Sequence, residues 1–94
     1  MNQNHWLDRR KKMNKIQEIA QKIGLKIHVL EEIEELLLHD EWGMAYETLC
    51  SEIQEEKLQV SRDIYSQIVY IGKDLEIDPW YWEEIKKYQS KNFD

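Results

Sequence analysis

Glycine, proline and cysteine are scarce in this sequence, and each shortage excludes a class of protein. The 94 residues include three glycines and one proline, which are too few for the many tight turns of a β-sandwich or β-barrel. The single cysteine, Cys50, has no partner for an internal disulfide and is not enough for a zinc site. Because it follows Leu49 on an apolar helix face, we predict a buried structural thiol in a reduced compartment.

Long apolar segments are also missing. No stretch approaches the roughly 18 apolar residues that a membrane span requires, and the start of the chain has no apolar segment of the kind that directs secretion. We therefore expect a cytoplasmic protein without membrane contact. Hydrophobic residues still make up 41% of the chain, enough for one core. We expect residues 1–94 to form a single domain, with residues 1–12 as a basic N-terminal extension.

Catalytic signatures are absent as well. The sequence has no GxGxxG, P-loop or GxSxG pattern, and its carboxylate pairs fall on predicted exposed faces rather than in the dry pocket that acid–base catalysis needs. The one histidine cluster, His39-Asp40-Glu41, points around a helix start rather than at one centre. We predict no enzyme, no metal and no cofactor.

Charge, by contrast, is abundant and unevenly distributed. Residues 1–27 hold seven basic and two acidic residues, a net charge of +5, whereas residues 28–94 hold six basic and seventeen acidic residues, a net charge of −11. An acidic field of this size repels nucleic acid and attracts basic protein surfaces. The larger part of the chain therefore favours a basic protein partner.

Apolar residues recur at three- and four-residue spacing, the period of one helical face. The pattern predicts a first helix that stops at Gly24 and a second over about residues 27–39, with an apolar stripe from Ile27 to Leu37. The Leu36-Leu37-Leu38 end of the second helix is apolar almost all round. We expect neighbouring helices to cover it on more than one side.

Capping residues divide the rest of the chain. Asp40 is predicted to cap a third helix that runs to about Lys57, and Ser61 a fourth. Asp78-Pro79 marks the start of a fifth helix that ends near Tyr88. Since the connections are short, sequential helices should pack antiparallel. The sequence thus predicts an all-α fold, a compact bundle of about five short helices.

The candidate binding residues are acidic and aromatic. Acidic residues cluster around the hairpin of the second and third helices, where antiparallel packing would gather them into one negative patch. Trp80-Tyr81-Trp82 cannot all face one core, so at least one ring should be partly exposed. These rings would either close the open end of the small domain or anchor a partner. The predicted partner-binding residues are Glu31, Glu34, Glu35, Asp40, Glu41, Glu52, Glu55, Glu56, Trp80 and Tyr81.

The basic N-terminal stretch supports an alternative. Arg9, Arg10, Lys11, Lys12 and Lys15 would bind phosphates if the protein were a small helical nucleic-acid-binding regulator. The acidic remainder of the chain opposes nucleic-acid binding, and a solvated helix face that pairs with the acidic second helix is the simpler explanation of the stretch. We keep this alternative open.

The most distinctive residues of the chain lie in the segments Leu38–Cys50, Val60–Tyr65 and Leu75–Pro79, and at Trp82. Together these segments resemble the MafI-type family of small immunity proteins, which includes immunity proteins of contact-dependent inhibition (CdiI-like). The family pattern is an acidic H-x-E-W-G-x-A-x-E-x-L-C helix, an S-x-x-x-Y helix start and a G-L-D-P-x-x-W ending. The similarity covers about residues 16–88, although Glu76 and Ile77 replace the Gly-Leu pair. The residues in register are His39, Glu41, Trp42, Gly43, Ala45, Glu47, Leu49, Cys50, Ser61, Tyr65, Asp78, Pro79 and Trp82.

The resemblance implies a function that fits the charge. Proteins of this family neutralise polymorphic bacterial toxins, often EndoU-type ribonucleases with basic RNA-binding clefts. The expected partner is thus the C-terminal nuclease domain of a secreted effector, bound about one to one, with its cleft blocked by the acidic bundle. The motif also implies that Trp42 anchors the hairpin as a core ring and that Gly43 lets a neighbouring helix approach.

Overall fold

The computed structural model describes residues 3–90, and for residues 3–10, 12 and 13 it describes the backbone alone. Five α-helices with short connections form a compact bundle, which confirms the predicted all-α fold. No helix in this range is long and apolar enough to cross a membrane. The elements are α1 (Gln3–Lys22), α2 (Ile27–Leu38), α3 (Trp42–Glu56), α4 (Arg62–Asp74), α5 (Trp80–Ile85) and a 3₁₀ turn (Lys86–Tyr88).

One apolar core joins the five helices. Helix α3 lies at its centre, since it packs against α1, α2 and α5. Cys50 lies in this core, as predicted. The stripe predicted for α2 is wrong at Ile27, which is 68% exposed, because Val29 turns toward the core in its place. The buried residues are Ile16, Ile19, Ala20, Leu25, Val29, Ile33, Ala45, Tyr46, Leu49, Cys50, Ile53, Val60, Ile64, Ile68, Ile71, Trp82 and Ile85.

Helices α1 to α4 all end in the same way. A residue with positive φ follows each helix at Gly24, Asp40, Lys57 and Glu76. The next residue's N–H donates back to a carbonyl five residues earlier, as from Glu41 to Leu36 at 2.8 Å. This is the Schellman arrangement, which satisfies carbonyls at a helix end and usually has glycine at the positive-φ position. Of these four turns, only the one after α1 has glycine at the positive-φ position, Gly24.

This geometry corrects one prediction. Asp40, predicted to cap the start of α3, has a φ of 59° and belongs to the end of α2. Glu41 is the residue before α3, and its side chain makes no capping hydrogen bond. Aspartate suits both positions, because it accepts hydrogen bonds at helix starts and tolerates the left-handed region.

Two other predicted helix starts are confirmed. Ser61 Oγ accepts a hydrogen bond from the Ile64 N–H at 3.0 Å, and Asp78 Oδ1 accepts one from the Trp80 N–H at 2.9 Å. The turn after α5 returns to the start of α4, where the Val60 N–H donates to the Tyr88 carbonyl at 3.0 Å. The C-terminal helix is thereby fastened to the α3–α4 connection.

Aromatic side chains lock α3, α4 and α5 together at Gly72. The Tyr46 hydroxyl donates to the Ile68 carbonyl at 2.7 Å, and the Tyr65 hydroxyl donates to the Trp82 carbonyl at 3.1 Å. A Cβ atom on Gly72 would overlap the Trp82 ring and the Tyr46 hydroxyl. Glycine is therefore required there so that the two rings can approach the α4 backbone.

Candidate partner-binding surface

Helices α2 and α3 form an antiparallel hairpin that divides the predicted acidic residues between its two ends. The Lys26 ammonium lies 3.3 Å from a Glu56 carboxylate oxygen, which joins the start of α2 to the end of α3. Helix α3 has 15 residues, so its two ends are about 22 Å apart. The turn end holds Glu34, Glu35, Asp40 and Glu41, and we call these four residues the acidic corner.

The remaining acidic residues lie away from this corner. Glu52, Glu55 and Glu56 lie near the end of α3, and Glu31 lies near the middle of α2. Glu52 is partly buried, and Glu56 has Lys26 as an ion partner. Within residues 14–90, no Lys or Arg pairs with the four exposed carboxylates of the acidic corner. The corner therefore concentrates uncompensated negative charge.

Apolar side chains are exposed beside these carboxylates. Leu38 is 72% exposed and Met44 53% exposed, so the prediction that the Leu36–Leu38 end is covered on several sides is wrong at Leu38. Trp42 is only partly buried, which also corrects the expectation that it is a core ring. Sequence reasoning missed Leu38 and Met44 as surface residues. The one signal was their position on either side of the polar segment 39–41.

A pocket of about 350 Å³ opens between α1 and the acidic corner. Gln17 lines this pocket, and its Oε1 is buried without a hydrogen-bond partner among the described side chains. Carboxylates and apolar groups therefore share a cavity with a buried acceptor. The residues that line this corner pocket are Asn14, Gln17, Glu34, Leu37, Leu38, Asp40 and Trp42.

His39 is the one basic group described at the acidic corner. Its Nδ1 lies 3.0 Å from the Glu35 carbonyl oxygen and 3.5 Å from a Glu35 carboxylate oxygen. The hydrogen bond to that carbonyl raises the pKa of His39 above its ordinary value of 6.5, and the carboxylates of Glu35, Glu41 and Asp40 raise it further. The charge of the corner therefore changes as the pH rises through this raised pKa of His39.

The predicted aromatic site lies at the same end of the bundle. Trp80 is 51% exposed, Tyr81 is partly buried and Trp82 is buried, so the prediction of at least one exposed ring is confirmed. The Trp80 and Tyr81 rings meet edge to face, with centroids 5.0 Å apart. Ile77 Cδ1 lies 3.7 Å from the Cβ position of Gly43, so α5 begins next to the start of α3.

That contact also corrects the expectation for Gly43. A distance of 3.7 Å is ordinary van der Waals contact, so a methyl group would fit at this position. The close helix approach implied for Gly43 occurs at Gly72 instead. Sequence reasoning missed Gly72, and its position directly after Ile71 on an apolar face was the available signal.

Two basic residues of α1 that the structure describes, Lys11 and Lys15, lie away from the acidic corner. Lys11 and Lys15 line a groove of about 440 Å³ against α4, beside Gln67 and Tyr70. Lys15 also pairs with Glu18 at 3.3 Å. The side chains of Arg9, Arg10 and Lys12, which belong to the predicted basic stretch, lie outside the described part of the structure.

The groups that could carry chemistry are few in the described residues. Burial raises the pKa of the Cys50 thiol to about 12, so the thiol is protonated near neutral pH. No group of three or more His, Cys, Asp or Glu side chains in this part of the chain is placed to hold a metal ion. In comparisons with known proteins, no family model, curated protein or solved structure matches this chain. The MafI-type resemblance accordingly stays a prediction from the sequence motif.

Proposed function

We propose that this protein is a cytoplasmic immunity protein that neutralises the C-terminal nuclease domain of a bacterial toxin. The expected toxin is an EndoU-type ribonuclease of a contact-dependent inhibition system. The protein binds this domain about one to one and covers its basic cleft. The observation that carries the proposal is the acidic corner, in which four exposed carboxylates lie beside exposed apolar side chains.

The physical argument rests on what a basic cleft requires of its inhibitor. A ribonuclease cleft attracts phosphate through Lys and Arg, and a carboxylate surface competes for the same side chains. Complementary charge also accelerates encounter and rejects partners of the wrong sign. The four corner carboxylates supply that charge, and no Lys or Arg within residues 14–90 pairs with them.

Apolar contact supplies the rest of the affinity. Charged pairs at a rim contribute mainly to the rate of association, whereas apolar anchors that leave water contribute to slow dissociation. Leu38 and Met44 are exposed at the corner, and Trp80 is exposed at the same end of the bundle. This end of the molecule thus combines negative charge that attracts a basic partner with apolar surface that the partner can bury. Protein interfaces combine these two features.

Co-expression tests the proposal directly. We expect an open reading frame immediately upstream of this gene whose C-terminal domain stops growth when expressed alone. Growth should return when this protein is co-expressed, and the pair should co-purify as a one-to-one complex in which RNA cleavage is blocked. The proposal is wrong if no upstream product inhibits growth, or if the pair fails to bind.

The basic N-terminal stretch plays no part in this proposal. Removing the stretch therefore distinguishes the immunity function from the nucleic-acid alternative. Deleting residues 1–12 should leave neutralisation intact, because the acidic corner and the buried part of α1 from Ile16 onward remain. A nucleic-acid-binding regulator would instead lose an affinity that falls steeply with added salt. Filter binding with RNA and DNA at two salt concentrations distinguishes the outcomes.

A further inference from the structure

The corner pocket has a composition that selects one kind of side chain. The polar groups that the structure describes in it are the carboxylates of Glu34 and Asp40 and the side-chain amides of Asn14 and Gln17, and Leu37 and Trp42 form part of its wall. The carboxylates reject anions and accept hydrogen-bond donors that carry positive charge. The apolar wall suits a group with a flat or aliphatic surface.

Gln17 provides an observation independent of the surface charge. Its Oε1 is buried without a hydrogen-bond partner among the described residues, although buried acceptors in native proteins are nearly always satisfied. Gln17 also lines the corner pocket, so a rotation of its side chain would bring Oε1 to a donor that enters. Satisfying the acceptor in this way would contribute to ligand binding.

We propose that the corner pocket receives the guanidinium of one arginine side chain from the protein partner. Arginine fits better than lysine, because its planar fork carries five N–H donors and its faces stack on aromatic rings. Those donors can serve two carboxylates and an amide oxygen together. A cavity of about 350 Å³ is small among ligand pockets, which span about 300–1,000 Å³, and suits a single side chain.

The surroundings of the pocket indicate that the arginine belongs to a protein. Leu38 lines the pocket and is 72% exposed, and Met44 is exposed close by. A free guanidinium compound would leave these apolar groups in water, whereas a protein surface around the arginine would cover them. This inference rests on the proposed immunity function and identifies the side chain that the acidic corner binds.

An NMR titration of the full ¹⁵N-labelled chain tests the pocket without the toxin. The probe is N-acetyl-arginine methylamide, and N-acetyl-citrulline methylamide is its neutral counterpart of the same shape. The arginine probe should produce weak, saturable shifts at the Trp42 indole N–H and the Gln17 side-chain amide. The citrulline probe should produce none. Equal shifts from both probes, or no shift at these two groups, would overturn the proposal.

Matched variants separate the pocket from general charge attraction. Glu34→Gln should weaken arginine binding at least fivefold, because it removes a carboxylate of the pocket. Glu32→Gln removes the same charge from the same helix, about 160° around its axis, and should leave binding within twofold. If the two substitutions weaken binding equally, the attraction is not specific to the pocket and the proposal fails.

Gln17→Leu gives a second readout that a purely structural role would not predict. It removes the unpartnered acceptor, so thermal stability should stay the same or rise while arginine binding weakens several-fold. A fall in stability with unchanged arginine binding would show that Gln17 serves the fold and would overturn its role in the pocket. The dispersion of the ¹⁵N spectrum confirms that each variant is folded.

The toxin assay keeps this inference distinct from the proposed function. Suppose that Glu34→Gln and Gln17→Leu lose arginine binding but neutralise the toxin with unchanged affinity. The toxin then places no arginine in the corner pocket, so the inference is wrong while the immunity function stands. If the arginine probe binds as described but no toxin is found, the pocket stands as an arginine site and the immunity function fails. Loss of both arginine binding and neutralisation in the two variants supports the inference.

Discussion

The Gly72 region and the acidic corner belong to the same bundle but differ in hydrogen bonding and burial. The Gly72 region buries its rings and pairs its hydroxyls, whereas the described part of the corner leaves comparable groups exposed or unpaired. At Gly72, both tyrosine hydroxyls of the region donate to backbone carbonyls, and Trp82 is 7% exposed. At the corner, Leu38 is 72% exposed and Gln17 Oε1 has no partner among the described residues. The first region holds the fold together, and the second exposes groups that, on our proposal, a partner protein would cover.

The largest effect should come from Gly72→Ala. The added methyl group would overlap the Trp82 ring and the Tyr46 hydroxyl, and such overpacking costs about 3 kcal/mol of unfolding free energy. Urea denaturation followed by circular dichroism measures it. The control is Gly43→Ala, where the nearest atom permits a methyl group and the change should stay within about 1 kcal/mol. Equal effects at the two glycines would contradict this packing.

Reversing charge at the corner should have the next largest effect, on binding rather than stability. Glu35→Lys with Glu41→Lys should weaken toxin binding by about 2 to 3 kcal/mol, because opposite-charge contacts become like-charge contacts. Glu52→Lys with Glu55→Lys changes the net charge equally at the other end of the hairpin. That second pair should cost less than about 1 kcal/mol. Calorimetric titration of each double variant with the toxin domain measures the loss of binding free energy. Equal losses in the two double variants would contradict a specific role for the acidic corner.

The helix ends allow a smaller test, with opposite signs at two positions. Glu76 has a φ of 59° and Gly24 a φ of 80°. Glu76→Gly should stabilise the fold by about 0.5 to 1 kcal/mol, because glycine removes the strain of a left-handed residue. Gly24→Ala should destabilise it by about 1 kcal/mol for the same reason. Paired thermal melts measure both, and a shift of the same sign in both variants would be inconsistent with this explanation.

The smallest effect concerns His39 and pH. Its pKa is raised in the folded protein, so the stability gained from the protonated ring is complete below pH 6.5 and disappears as the pH rises through the raised value. Binding of a basic partner should change the other way, because loss of the positive ring leaves the corner more negative. Toxin affinity should thus rise modestly across this range, and His39→Gln should flatten the profile. A profile that His39→Gln leaves unchanged would exclude His39 as its source.

Much of the fold could be predicted from the sequence because helix periodicity and caps are local signals. Ser61 and Asp78-Pro79 marked helix starts correctly, since their hydrogen bonds reach only two or three residues along the chain. Asp40 was misassigned because its side chain suits either end of a helix. The sequence could not show whether Ile27 or Val29 is buried, because that depends on the rotation of α2 about its own axis against α1 and α3.

The binding surface could be predicted only in part. The acidic composition indicated the hairpin as a candidate surface. Because of the length of α3, however, the acidic residues at its two ends lie about 22 Å apart and do not form one patch. Leu38 lies next to two partly buried leucines, and only the fold shows that no neighbour covers it. The corner pocket also depends on Asn14 and Gln17, which are distant in sequence from the acidic segment.

On the function proposed above, the turn end of the α2–α3 hairpin is the surface that binds the toxin. Amide hydrogen exchange of the free protein and of its complex with the toxin domain tests this most directly. The account predicts new protection at residues 34–44 and at the start of α5, with little change along α4. Protection confined to α4 and the basic face of α1, with unchanged exchange at residues 34–44, would contradict it.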